Sequence, residues 1–113
     1  MPVLLEINSG HEDQKGGIMP EDLLGVIDDI KDLGNISVQG LMTMGPSVVD
    51  PDDIRPYFKL TKQLFDDLKK QSIPGVDMRY LSMGMTSTYQ VGIEEGANIV
   101  RVGPLIFGER KYF

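Results

Sequence analysis

Four short apolar runs, each followed by glycine and polar residues, alternate along this chain with segments of helical periodicity. The runs occupy residues 3–7, 36–42, 78–83 and 98–102, and their β-branched and aliphatic residues are typical of strands. Strands that alternate with helices at this spacing favour a parallel sheet joined by right-handed crossovers. The sequence therefore predicts one α/β unit with the order β-α-β-α-β-α-β and a short final turn.

The helices between these runs are predicted from their apolar stripes and from their end signals. The first begins at Pro20, whose fixed φ suits the first helical position, and Gly34 is predicted as its C-cap. The second presents one apolar face over residues 54–68, and the third covers about residues 88–95.

Two architectures fit four such units. One is a small open sheet with helices on both faces, and the other is half of a TIM-type (β/α)₈ barrel, which needs roughly 250 residues where this chain has 113. In barrels the loops after the seventh and eighth strands commonly hold phosphate. If the chain is the C-terminal half of a barrel, the loops after its last two strands are those two loops.

Composition excludes several classes of function. The net charge of −6 argues against nucleic acid or an anionic membrane as the main partner. The absence of cysteine excludes disulfides, thiolate catalysis and cysteine-ligated metals, and no apolar run is long enough to cross a bilayer. Because the first residues also lack the basic stretch of a signal peptide, we expect a cytoplasmic protein.

The loops after the last two strands hold the strongest candidate site. Glycine after a strand lets backbone N–H groups approach an anion, hydroxyls add donors, and an arginine ends the fourth strand. The candidate residues are Ser82, Gly84, Met85, Thr86, Arg101, Gly103 and Pro104. The same pattern also fits ordinary tight turns with Arg101 paired to a carboxylate, and spacing does not decide between these two interpretations.

Two other residues could carry chemistry. Lys15 lies in the loop after the first strand and could form a Schiff base, but a single loop lysine is usually a solvated charge. His11 is the one histidine of the chain, so a second histidine for a metal pair is missing. We therefore assign neither residue to a catalytic or metal site.

Several segments resemble the pyridoxal phosphate homeostasis protein family, which is related to the barrel domain of alanine racemase. They are Leu4-Leu5-Glu6-Ile7-Asn8 with Lys15-Gly16-Gly17, Gly40-Leu41-Met42-Thr43-Met44-Gly45-Pro46, Leu81-Ser82-Met83-Gly84-Met85-Thr86, and Val100-Arg101-Val102-Gly103 with Ile106-Phe107-Gly108-Glu109-Arg110. The resemblance covers nearly the whole chain. It implies that residues 1–113 are the C-terminal half of an alanine-racemase-like barrel that binds pyridoxal 5′-phosphate, acting as a carrier of this cofactor and not as an enzyme.

The resemblance also implies roles for individual residues. Thr86 matches the family's phosphate-binding serine and Met85 its neighbour, while Arg101 matches an arginine that faces the pyridine nitrogen. Gly103 and Pro104 match a Gly-Thr pair on the phosphate, although proline lacks both the N–H and the hydroxyl of that threonine. No segment of the chain matches the lysine that binds the cofactor covalently, so any binding should be non-covalent. Thr88 stands where the family commonly has aspartate, and threonine can still cap a helix.

Two alternatives remain open: half of a racemase or decarboxylase that uses the same cofactor, and a truncated fragment that does not bind it. Expected partners are pyridoxal phosphate or phosphate itself, and either a second copy of the chain or an N-terminal half, because an opened barrel exposes two edges and an apolar face. The candidates for that face are Leu4, Ile7, Val38, Leu41, Leu81 and Ile99.

Overall fold

A computed structural model of the chain describes residues 1–12 and 16–102. The elements are β1 (Pro2–Glu6), α1 (Leu23–Ile30), β2 (Ser37–Thr43), α2 (Arg55–Gln71), β3 (Val76–Met85), α3 (Tyr89–Glu94) and β4 (Ile99–Arg101). Single 3₁₀ turns at Pro20–Asp22 and Pro51–Ile54 precede α1 and α2. The predicted order of strands and helices is confirmed across these residues, whereas the predicted turn at 105–107 lies outside them.

The four strands form one parallel sheet in the order β1-β2-β3-β4. A doubly wound sheet reverses its strand order at a switch point, and helices then cover both faces. This sheet has no such reversal, and successive right-handed crossovers put their helices on one face. The predicted α/β class with a parallel sheet is therefore confirmed, and the version with helices on both faces does not fit.

The core lies between the sheet and its helices. In α2 the buried residues follow the spacing of one helical stripe, as the sequence predicts, and α1 adds Leu23 and Ile27. The buried apolar residues are Ile7, Leu23, Ile27, Val38, Leu41, Ile54, Phe58, Phe65, Leu68, Met78, Leu81, Met83 and Val91.

The first α-helix ends differently from the sequence prediction. The first α-helix begins at Leu23 and stops at Ile30, because the Leu33 amide bonds the Ile30 carbonyl at 3.0 Å and tightens the last turn. Gly34 lies beyond that turn and has no positive φ, so its prediction as the C-cap is wrong. The second helix ends at Gln71, and its C-cap Ser72 adopts the left-handed conformation at φ 52°.

No described helix covers the other face of the sheet. A hollow of about 200 Å³ is lined there by Pro2, Val3, Leu4, Gln39, Tyr80 and Ile99, and no helix residue of the described ranges contributes to it. Registered partners of parallel strands share a face, and Leu4, Gly40 and Tyr80 form one such row across β1, β2 and β3. We call the side of the sheet that carries this row the open face.

The prediction of which residues form the exposed apolar face is only partly right. Leu4 and Ile99 are exposed. Ile7, Val38, Leu41 and Leu81 are instead at most 2% exposed, in the core beneath the helices. Because side chains alternate along a strand, the row of Leu5, Leu41 and Leu81 points away from the row of Leu4.

Candidate functional site

The carboxyl ends of the four parallel strands meet at one edge of the sheet, where open α/β sheets bind ligands. At this edge β1 continues into Asn8 and Ser9, and β2 ends at Thr43. The strand β3 continues into Thr86, and β4 ends at Arg101. The sequence-predicted candidates Ser82, Gly84, Met85, Thr86 and Arg101 thus belong to the last two strands and the first residue beyond β3.

A buried pair of hydroxyls fixes the ends of β1 and β2 to each other. The oxygens Ser9 Oγ and Thr43 Oγ1 lie 2.8 Å apart, and Thr43 Oγ1 donates to the Ile7 carbonyl at 2.8 Å. Ser9 is 3% exposed and Thr43 is fully buried. Removing the Thr43 hydroxyl would take a buried hydrogen-bond partner from both Ser9 Oγ and the Ile7 carbonyl, so these bonds hold the edge in a defined geometry.

Arg101 extends from β4 to the end of β2. Its Nη2 donates to the Thr43 carbonyl at 3.2 Å. Its Nε is buried and has no hydrogen-bond partner among residues 1–12 and 16–102. Within residues 1–12 and 16–102, Arg101 forms no ion pair, so the interpretation in which a carboxylate pairs with it receives no support. A cationic side chain with an unsatisfied buried N–H at a strand edge can donate a hydrogen bond to a further acceptor.

The loop after β3 is shaped by Gly84 and Thr88. Gly84 has φ +107°, and a Cβ there would lie 2.9 Å from the Tyr89 Cα. The Thr88 hydroxyl accepts the Met85 N–H at 3.1 Å, and the Thr88 N–H donates to the Met85 carbonyl at 2.9 Å. Thr88 therefore stands at the N-cap position of α3 without a side-chain cap of that helix, contrary to the sequence expectation.

This arrangement limits which donors the loop can offer an anion. The Met85 amide is already bonded, so Met85 can offer its exposed side chain but not its N–H. Thr86 is half-buried and Ser87 exposed, and no side-chain hydrogen bond occupies either residue among the described positions. Ser82 is 3% exposed, and its Cα partner in the neighbouring strand is Met42. Thr86 and Ser87 are the available hydroxyl donors of this loop.

A hollow of about 210 Å³ separates the loops that follow β2 and β3. Its lining residues are Met44, Gly45, Pro46, Ser47, Val48, Ile54, Met85, Ser87 and Thr88. The two methionines are both exposed, Met44 at 47% and Met85 at 36%. Exposed thioethers at the rim of a polar hollow suit contact with a flat ligand.

The remaining predicted residues contribute no described geometry to this edge. Gly103, Pro104 and Lys15 lie outside the described residues, so their assignments stay predictions. His11 Nε2 lies 2.9 Å from Glu21 Oε2 in an exposed ion pair. A backbone hydrogen bond within Glu21, followed by the hydrogen bond with His11, lowers the pKa of the Glu21 carboxyl below its ordinary value of 4.5. His11 thus has a structural partner, and the described residues contain no cluster of metal ligands.

Sequence reasoning assigned no role to Thr43 and Ser9. Thr43 lies 58 residues from Arg101 along the chain, so the contact between them depends on strand register, which the sequence does not display. A usable signal was present nonetheless: a hydroxyl residue ends the second strand and another closely follows the first. Polar residues at the carboxyl ends of neighbouring parallel strands converge on one edge.

The chain is similar in sequence to proteins of one known family. The family model described as alanine racemase, N-terminal domain, matches residues 1–111. The pyridoxal phosphate homeostasis protein of Aquifex aeolicus is 47% identical over 110 residues, which are 97% of this chain and 47% of that protein. The chain therefore spans about half the length of the curated relatives it matches.

Solved structures show the same fold. A protein of Bifidobacterium adolescentis superposes with a TM-score of 0.86 at 40% identity, over 94% of this chain and 42% of the other. PipY of Synechococcus elongatus, solved without pyridoxal phosphate, superposes at 0.79 with 26% identity over 89% and 46% of the two chains. A second structure of PipY, described as having pyridoxal phosphate bound, superposes at 0.73 with 24% identity and supports the fold alone. Among the described residues, no helix has the length and apolar character needed to cross a membrane.

Proposed function

Because this chain belongs to the alanine racemase N-terminal domain family, and its curated relatives are pyridoxal phosphate homeostasis proteins, we propose that it is the phosphate-binding half of a pyridoxal 5′-phosphate carrier. Its role is to bind the cofactor and not to turn over a substrate. The relatives are named for homeostasis and not for a reaction, which agrees with the predicted absence of enzymatic activity.

The barrel part of the proposal is supported by the sheet. Its strands follow one another without reversal and the hollow on its open face is lined mainly by apolar residues, as expected for strands that would line the interior of a (β/α)₈ barrel. Four strands are half of the eight that such a barrel needs, and the chain covers 47% of its Aquifex relative. We therefore propose that residues 1–113 are the C-terminal half of a barrel of this kind.

The buried, unpaired Nε of Arg101 is the observation that carries the ligand part of the proposal. Pyridoxal phosphate combines an aromatic ring nitrogen, which accepts a hydrogen bond, with a phosphate dianion. The ring nitrogen suits the free N–H of Arg101, and the phosphate suits the hydroxyls of Thr86 and Ser87. Gly103 would add an N–H, whereas Pro104 has none to give. The residues present therefore fit this cofactor.

The same arginine favours a carrier over a catalyst. When bound, pyridoxal phosphate supplies an aldehyde and a ring that acts as an electron sink. A guanidinium is always charged, so Arg101 beside the ring nitrogen would oppose protonation of that nitrogen and weaken the sink. No segment of the chain matches the family's lysine, so we propose non-covalent and reversible binding.

Titration of the protein with pyridoxal phosphate, followed by absorbance and by equilibrium dialysis, tests this function. Replacing Arg101 with alanine removes a charged donor, and a charge-assisted hydrogen bond contributes about 1.5–3 kcal/mol, so affinity should fall at least about tenfold. Thr86→Ala should weaken both pyridoxal phosphate and inorganic phosphate binding, and Thr86→Ser should restore most of it. The matched control is Arg79→Ala, which removes an exposed arginine that is paired with Asp77 nearer the start of β3.

Borohydride reduction and intact-mass measurement complete the test. The expected result is little or no covalent adduct after reduction, with Lys15 as the preferred position of any trace. Stoichiometric trapping would show that binding is covalent, and affinity unchanged by both Arg101→Ala and Thr86→Ala would show that the site is elsewhere.

The open face supports a further part of the proposal, namely that an N-terminal half or a second copy covers it. Parallel sheets are normally covered on both faces, and unpaired edge strands readily accept another strand. Sedimentation at micromolar concentration should therefore show association, and Leu4→Glu should reduce it. A stable monomer that binds no hydrophobic dye would contradict this part. The cytoplasmic location stays within the proposal, since nothing in the cysteine-free sequence requires an oxidising compartment.

A further inference from the structure

Arg101 belongs to a strand of only three residues, so something other than a long ladder must set its position. The register between β3 and β4 pairs Ser82 with Ile99 and Met85 with Arg101. Between these pairs β3 advances by three residues while β4 advances by two. The extra residue is a β-bulge in β3, directly before the candidate loop.

The bulge depends on Gly84. Its φ of +107° lies in the region that favours glycine, and an added Cβ would lie 2.9 Å from the Tyr89 Cα and 3.3 Å from the Thr88 carbonyl oxygen. A one-residue slip moves the following side chain to the other face of a sheet. The bulge therefore brings Met85 to the same face as Ser82 and Arg101.

Asn98 fixes the other end of this short pairing. Its Oδ1 accepts the Leu81 N–H at 2.8 Å, and its own N–H donates to the Leu81 carbonyl at 3.0 Å. Its Nδ2 donates to the Arg79 carbonyl at 2.7 Å. Three hydrogen bonds from one residue thus hold the start of β4 against β3, three residues before Arg101.

We propose that Asn98 and the Gly84 bulge together position the Arg101 guanidinium, with Asn98 as a positioning residue that acts through Arg101. Asn98 fixes where β4 starts, and the bulge fixes which residue of β3 lies opposite Arg101. With both in place, Arg101 Nη2 donates to the Thr43 carbonyl, and Nε stays buried without a hydrogen bond to any described residue. The effect on cofactor binding rests on the proposed function, whereas the placement of Arg101 does not.

The Arg101 Nε–H gives a readout that needs no ligand. In ¹⁵N-detected NMR of the whole chain, this buried N–H should exchange slowly with solvent. In Asn98→Ala its exchange should accelerate at least about fivefold while the amides of β1 and β2 keep their protection, because only β4 is released. Asn98→Asp keeps the acceptor for the Leu81 N–H and should give an intermediate rate. The control is Asn35→Ala, an exposed asparagine before β2.

A second pair of variants tests the bulge. Gly84→Ala and Gly96→Ala introduce the same Cβ at almost the same backbone angle, φ +107° and +106°. Only Gly84 lies in the bulge opposite Arg101, while the Cβ at Gly96 meets the flexible end of Lys62. Gly84→Ala should move the Arg101 Nε resonance and accelerate its exchange, whereas Gly96→Ala should leave both unchanged.

Titration with pyridoxal phosphate then separates the two proposals. Weaker binding and a shifted cofactor absorption maximum in Asn98→Ala, with partial recovery in Asn98→Asp, support positioning through Arg101. If the wild-type chain binds no cofactor but the exchange results hold, the proposed function fails and the positioning stands. If the exchange of Arg101 Nε–H is the same in Asn98→Ala and the wild type, the positioning role is overturned whatever the cofactor does.

Discussion

The helix-covered face of the sheet and its open face are built from alternate residues of the same strands. On the covered face Leu41 and Leu81 are at most 1% exposed, whereas on the open face Leu4 and Tyr80 are 37% and 40% exposed. Apolar side chains lie on both faces, as is usual for parallel strands that are covered on both sides. Hydrophobic pattern therefore identifies the strands but does not tell which face this chain covers with its own helices.

The difference has energetic consequences. Covering a leucine side chain fully contributes about 1.5–3 kcal/mol, and the residues beneath α1 and α2 have gained that free energy. Leu4, Tyr80 and Ile99 have gained only part of it. The remaining free energy of burial can be gained by a partner that packs against the open face. Substitutions on the open face should therefore change association, and substitutions on the covered face should change folding stability.

The largest effect is expected from a substitution of Gly40, which lies in the Leu4–Gly40–Tyr80 row of the open face. A Cβ at this position would overlap the Tyr80 carbonyl oxygen, so β2 and β3 would have to move apart along the centre of the sheet. We expect Gly40→Ala to lower the free energy of unfolding by on the order of 3–5 kcal/mol, measured by urea denaturation.

The control for this substitution is Gly25→Ala in α1, where an added Cβ meets nothing within 4 Å. Alanine is favoured over glycine in a helix by roughly 0.5–1 kcal/mol, so this variant should be more stable than the wild type. A Gly40→Ala protein as stable as the wild type would show that the two strands do not approach as described.

A leucine-to-alanine pair compares the two faces directly. Leu41→Ala removes a fully buried side chain and should cost about 2–5 kcal/mol of unfolding free energy. Leu4→Ala, one strand away on the open face, should cost less than about 1 kcal/mol in the isolated chain. Urea denaturation at several protein concentrations measures both, and a large, concentration-dependent cost for Leu4→Ala would indicate that a partner copy covers the open face.

The sequence was sufficient for features that depend on local pattern. The strands predicted at residues 3–7 and 36–42 lie within one residue at each end of β1 and β2, and the apolar stripe of α2 is buried as expected. The sequence could not supply the register of the strands. The bulge at Gly84 and the contact between Arg101 and Thr43 follow from pairing across the sheet, and local propensity does not encode such pairing.

In the candidate site, too, the residues could be predicted from local pattern, whereas their hydrogen bonds could not. Ser82, Gly84, Met85 and Thr86 were identified from glycine and hydroxyl residues after a strand, and they lie in β3 and directly after it. That the Met85 amide is taken by Thr88 could not be predicted, because threonine at a helix start ordinarily caps the helix. The hydrogen bond between the Met85 N–H and the Thr88 hydroxyl depends instead on the turn that Gly84 imposes on the loop.

The smallest expected effect lies outside both faces, in the exposed ion pair between His11 and Glu21 that links the first loop to the turn before α1. The pKa of Glu21 is lowered in the folded chain, so the carboxylate adds stability above the unfolded value of 4.5 and loses it as the pH falls through the lower folded value. Glu21→Gln should therefore lower the melting temperature slightly at pH 6–7 and leave it unchanged well below pH 4. Thermal unfolding across this range measures the difference, with Asp29→Asn, an exposed carboxylate of α1, as the control. A difference between Glu21→Gln and the wild type that persists undiminished in acid would show that the carboxylate charge is not its source, and that the substitution acts through packing of the loop instead.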